Sequence, residues 1–234
     1  MRFCEQTNKK AITFSFDDGT TQDVRLINLL NQYNLKATFN LNSGLLGQKG
    51  LLQRNDQWIS HYKIFPEHVK LLYKDHEVAV HTVNHKNLTQ CDEEEIIHQV
   101  ESDRLRLSEL VGYDVVGMAY PCGGVNNDDR VAEIIKNHTG VKYSRTITTN
   151  DSFDLQDNLY RFNPTTCYVY FDKLMELGKK FVELQTDTPK IFYIWGHAFD
   201  MDCGADYWYR LEEFFKLISN KDDIFYGTNK EVLL

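Results

Sequence analysis

The sequence predicts an α/β fold with a mainly parallel sheet. Short apolar runs alternate with longer amphipathic segments, and this alternation points to parallel strands joined by crossover helices. The 234 residues suit one large domain or two small ones. No internal repeat, low-complexity tract or Pro/Gly/Ser-rich linker divides the chain, so a single domain over residues 1–234 is expected.

Strands are expected at 11–16, 37–41, 77–80, 115–120, 141–144, 190–195 and 224–226. Helices are expected at 21–33, 66–74, 92–111, 128–138, 171–184 and 206–219. The first strand is the run Ala11-Ile12-Thr13-Phe14-Ser15-Phe16, which ends in Asp17-Asp18-Gly19. The helix over 92–111 has its own start and stop. Asp92 can cap it with Glu95 three positions on, Ile96, Ile97, Val100, Leu105 and Leu107 follow at helical spacing, and Gly112 ends it. The stretch 42–62 lacks clean periodicity and carries Trp58, His61 and Tyr62, so it reads as an elaborated loop beside a site. Seven parallel strands can form an open doubly wound sheet or a closed barrel, and periodicity alone does not separate the two.

Composition narrows the function classes. The net charge of -8 and the lack of a Lys/Arg run leave nucleic acid without an electrostatic footprint. The first residues, Met1-Arg2-Phe3-Cys4-Glu5-Gln6, show no apolar signal region, and nothing approaches eighteen consecutive apolar residues. No membrane span and a cytoplasmic location are therefore expected. The five cysteines are widely spaced with no CxxC pair, which fits free thiols and gives no support to a cysteine zinc site.

Four polar segments follow predicted strands. Asp17-Asp18 is either an acidic turn or a pair in which one carboxylate holds a metal and the other moves a proton. His81-Thr82-Val83-Asn84-His85 places two imidazoles four residues apart, as metal ligands or as surface groups. Ala119-Tyr120-Pro121-Cys122-Gly123-Gly124 is a loop that can aim a backbone N–H into a cleft. Trp195-Gly196-His197 ends an apolar run. In parallel α/β folds, sites gather at the C-terminal ends of strands. One carboxylate and two imidazoles leave open positions on a metal.

In this order, the segments resemble the polysaccharide deacetylases of carbohydrate esterase family four, the NodB-homology domain. The family motif T-F-D-D-G appears as Ser15-Phe16-Asp17-Asp18-Gly19, and H-[ST]-x-x-H as His81-Thr82-Val83-Asn84-His85. R-x-P-Y-G is altered to Ala119-Tyr120-Pro121-Cys122-Gly123, and L-x-H reads Trp195-Gly196-His197. The resemblance implies a distorted (β/α) barrel with about seven parallel strands, and a divalent metal, usually zinc, held by Asp18, His81 and His85. It implies Asp17 as general base, His197 as general acid, and Tyr120, Pro121 and Cys122 on the substrate and oxyanion side, with the Cys122 N–H facing the oxyanion. It also implies a carbohydrate partner and removal of N-acetyl groups. One Asp and two His suit cobalt, nickel or iron as well as zinc.

The departures raise questions of their own. The family's Arg, which orients the base, is Ala119 here. Arg145, after the next strand on the same rim, is its expected substitute or else an ordinary loop anchor. Asp200 either orients His197 or is a solvated loop acid. Trp58 and Phe199 are candidate platforms for a sugar ring. Two alternatives accompany the deacetylase reading: a hydrolase of a non-sugar C–N bond, and a metal- or carbohydrate-binding relative without catalysis.

Overall fold

The structure is a computed structural model that describes residues 8–54 and 56–234. In chain order the elements are β1 (Lys10–Asp17), α1 (Asp23–Gln32), β2 (Ala37–Leu41), β3 (Leu51–Arg54), β4 (Gln57–Ser60), α2 (Pro66–Leu72) and β5 (Glu77–Val80). Then come α3 (Glu93–Ile97), α4 (Asp103–Val111), β6 (Gly117–Ala119), α5 (Asp129–His138), β7 (Tyr143–Arg145), β8 (Thr166–Cys167), α6 (Phe171–Glu183), β9 (Lys190–Gly196), α7 (Tyr207–Ile218), β10 (Ile224–Tyr226) and α8 (Asn229–Leu233).

A parallel sheet runs in the order β7-β6-β5-β2-β1-β9-β8. One edge of β1 is shared. β10 pairs with its first residues, Lys10–Ile12, and β2 with its last, Phe14–Asp17. The sheet curls as a distorted barrel. Phe162 bridges to Arg145 at one end of the path, and β8, a few residues later, pairs with β9 at the other.

Alternation along the strands sorts the side chains into two environments. Phe14 meets Phe214 and Phe215 of α7 edge-on, so this face of β1 lies under the helices. The other face points into the curl and is polar. Thr13 hydroxyl donates to Asn229, Ser15 accepts from Asn40 and Arg145, and Asp17 ends the strand. β1 is buried along its whole length, as expected for a strand covered on both sides.

Three expectations are revised. The helix over 92–111 is two α-helices joined by a π turn at His98–Ser102. Its ends are as read: Asp92 accepts from the Glu95 N–H at 2.9 Å, and Gly112 closes α4 at φ 84°. The π turn brings Gln99 to the histidine loop, where its backbone carbonyl accepts from Val83 N and its side-chain oxygen from Asn84 N. The loop at 42–62 contains the β3–β4 hairpin, whose edge strands are too short and exposed for a periodic signal. β8 has two residues and left no pattern to read.

Cys91, Cys122, Cys167 and Cys203 are free thiols, and Cys4 lies outside the described residues. Among the described residues, no helix is long and apolar enough to cross a membrane.

Gly117 makes room inside the curl for Tyr143, whose hydroxyl donates to the buried Glu77 at 2.8 Å. A Cβ at position 117 would lie 2.0 Å from that hydroxyl oxygen. Gly117→Ala is therefore expected to lower stability by about 2 kcal/mol, seen as a lower urea midpoint at unchanged slope. An unchanged midpoint would show that Tyr143 can leave Glu77 at no cost.

Candidate active site and metal centre

Five strands deliver the site. Asp17 ends β1, His81 follows β5, Cys122 follows β6, Arg145 ends β7 and His197 follows β9. Asp17, His81, Cys122 and His197 line a cavity of about 430 Å³, whose wall also includes Asp18, His61, Lys63, His85, Tyr120, Trp195 and Phe199, while Arg145 is fully buried and outside that wall.

Asp18, His81 and His85 each offer a ligand atom, and these atoms lie within 4.8 Å of one another. Their chemistry fits a divalent cation. His81 Nδ1 lies 2.8 Å from the Ala119 carbonyl. A carbonyl only accepts, so Nδ1 carries the proton and Nε2 keeps its lone pair. Burial pushes the His81 imidazole down to about 4, against the pull of Asp17. Burial likewise lowers the His85 imidazole, again against a nearby carboxylate, Asp18.

Burial opposes ionisation of Asp18, but the His61 hydrogen bond and the Lys63 charge outweigh it and hold the carboxyl well below its usual range. His61 Nε2 sits 3.3 Å from Oδ2. Lys63 Nζ lies 3.1 Å from Oδ1 but directs its hydrogen bond to the Asp18 carbonyl at 2.7 Å. Among the described residues, Oδ1 accepts no hydrogen bond, and His85 Nε2 is 3.6 Å from it. An ionised oxygen that accepts no hydrogen bond, beside two imidazoles whose burial favours the neutral form, makes a ligand set for a cation.

Asp17 has other neighbours. Arg145 Nη2 reaches both of its oxygens at 2.5 Å, and Asn40 Nδ2 donates to Oδ1 at 2.8 Å. Arg145 also donates from Nε to Ser15 Oγ and from Nη1 to the Thr146 carbonyl. Burial alone would raise the Asp17 carboxyl, yet Arg145 and the imidazoles of His81 and His197 hold it below its ordinary value. Arg145 is the registered neighbour of Ala119 across β6 and β7. Registered residues of a parallel pair point the same way. The guanidinium thus arrives from one strand further round, over the small side chain of Ala119.

His197 Nδ1 lies 3.0 Å from Asp200 Oδ2, and its ring stacks on Phe199. Burial lowers the imidazole, but the hydrogen bond and charge of Asp200 more than offset that and raise it to about 8. Tyr168 hydroxyl donates to the His197 carbonyl. Asp200 is therefore paired with His197 rather than being a solvated loop acid.

The remaining expected residues fall in different places. Cys122 lines the cavity at φ 69°. Tyr120 lines it too, with its hydroxyl tied to the Tyr160 carbonyl at 2.8 Å. Pro121 is buried and not part of the cavity wall; its carbonyl accepts from Asn126. Trp58 is 67% exposed and pairs with Gln53, whereas Leu52 and Arg54 of the same hairpin line the cavity. Alternation therefore turns Trp58 away from the site. Phe199 is 2% exposed and serves as a backing for His197 rather than an open platform. The sequence places His61 only in a loop beside a site and carries no signal for Lys63 or Asn40, because nothing local ties these three to Asp18 or Asp17.

Residues 5–143 match the family model for polysaccharide deacetylase. The chain belongs to the polysaccharide deacetylase family. A peptidoglycan-N-acetylglucosamine deacetylase of Listeria monocytogenes is 30% identical over 133 residues, covering 56% of this chain and 24% of that protein. A bifunctional xylanase/deacetylase of Pseudobutyrivibrio xylanivorans is 30% identical over 121 residues, covering 51% and 18%. The matched stretch thus spans about a quarter or less of these two relatives' length.

Solved structures share the fold. The family 4 carbohydrate esterase of Streptomyces lividans in complex with acetate has a TM-score of 0.54 at 13% identity, covering 91% of this chain and 88% of that one. A Bacillus anthracis pseudoenzyme of the same esterase family has a TM-score of 0.55 at 16% identity, covering 97% and 66%. The polysaccharide deacetylase fold therefore carries both esterases and catalytically silent members.

The site is expected to take up one divalent ion per chain. His81→Ala should weaken that binding at least about a hundredfold, measured by calorimetry or by metal analysis after dialysis. Because burial lowers both ligand imidazoles, His81 to about 4, the acid loss of affinity should begin at a lower pH than ordinary imidazoles would give. A steep fall starting near pH 6.5 would show ordinary imidazoles and contradict this geometry.

Proposed function

We propose that the protein is a metal-dependent deacetylase that hydrolyses the N-acetyl amide of an N-acetylated sugar. One observation carries this reading. Asp17 Oδ2 stands 4.0 Å from His81 Nε2 on the metal side and 4.0 Å from His197 Nε2 on the other. A carboxylate between a ligand set and a separately oriented imidazole is placed to take a proton at one position while the imidazole gives one at the other.

A divalent ion, zinc in the usual case, held by Asp18, His81 and His85 would supply Lewis acidity, lowering the pKa of water toward neutrality and polarising the acyl oxygen. Asp17, ionised and held by Arg145, takes a proton from the water that attacks the acyl carbon. The Cys122 N–H faces the acyl oxygen as negative charge develops there. As the C–N bond breaks, His197 delivers its Nε2 proton to the departing nitrogen, leaving acetate and a free amine. Asp200 keeps that imidazole protonated near neutral pH and holds it by Nδ1, so that Nε2 faces the site.

Asp17 faces the metal site, 4.0 Å from His81 Nε2, which disfavours the reading as a relative without catalysis. The hydrogen bonds of Asp17 to Arg145 and of His197 to Asp200 support reading the two as base and acid. The sugar substrate rests on the family and on the relatives named for N-acetylglucosamine deacetylation, and a cavity of about 430 Å³ is of a size that holds small ligands.

Asp17→Asn is expected to remove acetate release from N-acetylglucosamine oligomers, by about a thousandfold or more, with the metal still bound. Activity retained in that variant would refute Asp17 as the base. His197 must be protonated to act as acid, and its raised value of about 8 places the alkaline fall of kcat near pH 8. Asp200→Asn removes the charge that sustains this, so the fall should move to lower pH. An unmoved alkaline limb would separate Asp200 from the acid.

A further inference from the structure

We infer that Trp195 is a positioning residue for the base, acting through Arg145. Two departures from the family motifs meet at one point. The motif Arg is Ala119, and the Leu of L-x-H is Trp195. The residue they share is Arg145, which is registered beside Ala119 and lies with its guanidinium carbon 4.7 Å from the centre of the Trp195 ring.

The contacts of Arg145 divide by direction. Its N–H groups bond in the plane of the guanidinium, to Ser15 Oγ, to the Thr146 carbonyl and to both oxygens of Asp17. In-plane bonds fix where the edges point but resist tilting weakly. The indole covers a face, and a ring under a guanidinium restrains tilt while attracting the cation. Trp195 is the registered neighbour of Ser15, so its side chain leaves β9 in the same layer and toward the same interior.

Its own hydrogen-bonding potential does not explain the residue. Among the described residues, the buried Nε1 has no partner. Phenylalanine would therefore keep a ring and remove an unpaired donor, while leucine, the family residue, would keep apolar bulk and lose the ring. A guanidinium that comes from β7 rather than β6 needs the face that a leucine does not provide.

This inference rests on the reading of Asp17 as a base oriented by Arg145. Its test has one arm that needs no activity. With ¹⁵N-labelled arginine, a clamped Arg145 gives resolved side-chain N–H resonances, assigned by their loss in Arg145→Lys. They should persist in Trp195→Phe and broaden in Trp195→Leu. Persistence in the leucine variant overturns the clamp.

The second arm uses acetate release from N-acetylglucosamine oligomers by the metal-loaded protein. Trp195→Leu should lower kcat about tenfold with little change in KM, and Trp195→Phe should retain most of it. In the Arg145→Lys background, which keeps charge but has no flat face, Trp195→Leu should cost little more. A rise in KM alone would make Trp195 a substrate wall, and equal losses in both backgrounds would make it independent of Arg145; either overturns the proposal. Should Arg145→Lys and Arg145→Ala both leave kcat intact, the orientation of the base by Arg145 fails as well, and the resonances then still show whether the clamp exists.

Discussion

Asp17 ends the central strand almost fully buried, with an imidazole on either side and a guanidinium beneath it. A lone carboxylate in that position would be expensive to ionise, and losing one partner of such a buried pair typically costs 3–5 kcal/mol. Arg145 supplies the compensating charge from β7, at the end of the sheet path and not adjacent to β1, so the two side chains meet across the curl. The pair thereby couples the curvature of the sheet to the protonation state of the site. Ser15, Asn40 and Thr146 add further hydrogen bonds to the two charges, so the ion pair sits in a hydrogen-bond network rather than alone.

The location of the apolar core follows from the same arrangement. The interior of the curl is occupied by Thr13, Ser15, Thr38, Asn40, Glu77 and Tyr143, linked to one another or to α8 by hydrogen bonds. Burial of apolar surface therefore takes place mainly on the outer face, where Phe14, Phe16, Phe39, Val78 and Val80 join one cluster with the helices. A second, smaller apolar cluster joins Ala11, Tyr143, Phe162, Ile191, Tyr193, Val232 and Leu233, so that Tyr143 belongs both to this packing and to the polar column.

Much of this was legible in the chain. The strand ends carrying Asp17, His81, Cys122 and His197 are local signals, since an apolar run that stops at a polar group can be read without tertiary information. Asp92, Glu95 and Gly112 mark the ends of their helical segment for the same reason. The π turn at His98–Ser102 was not legible, because it answers to a backbone N–H of Val83 that arrives from another element. Arg145 could be placed on the right rim from sequence, but its contact with Asp17 depends on strand order and on registry with Ala119. The hairpin misled in the opposite way. Trp58 is a conspicuous aromatic, yet its pairing with Gln53 turns it outward and leaves Leu52 and Arg54 facing the cavity.

The different surroundings of Asp17 and Asp18 have a backbone cause. Strict alternation would send adjacent side chains to opposite faces. Asp18 has φ 82°, the left-handed region that costs an ordinary L-residue roughly 1–2 kcal/mol. That turn swings its carboxylate back to the rim beside His85 while Asp17 stays in the strand. Thr82, His85 and Cys122 also have positive φ, at 65°, 56° and 69°, and all lie on the two loops that complete the site. Strain of this kind persists where surrounding structure enforces it, and it concentrates where geometry must be held for chemistry. Here the enforcing contacts are visible: Lys63 holds the Asp18 carbonyl, Asn42 holds the carbonyls of His81 and Thr82, and Asn126 holds that of Cys122. The two carboxylates can then take opposite tasks because the backbone, rather than the side-chain type, separates them.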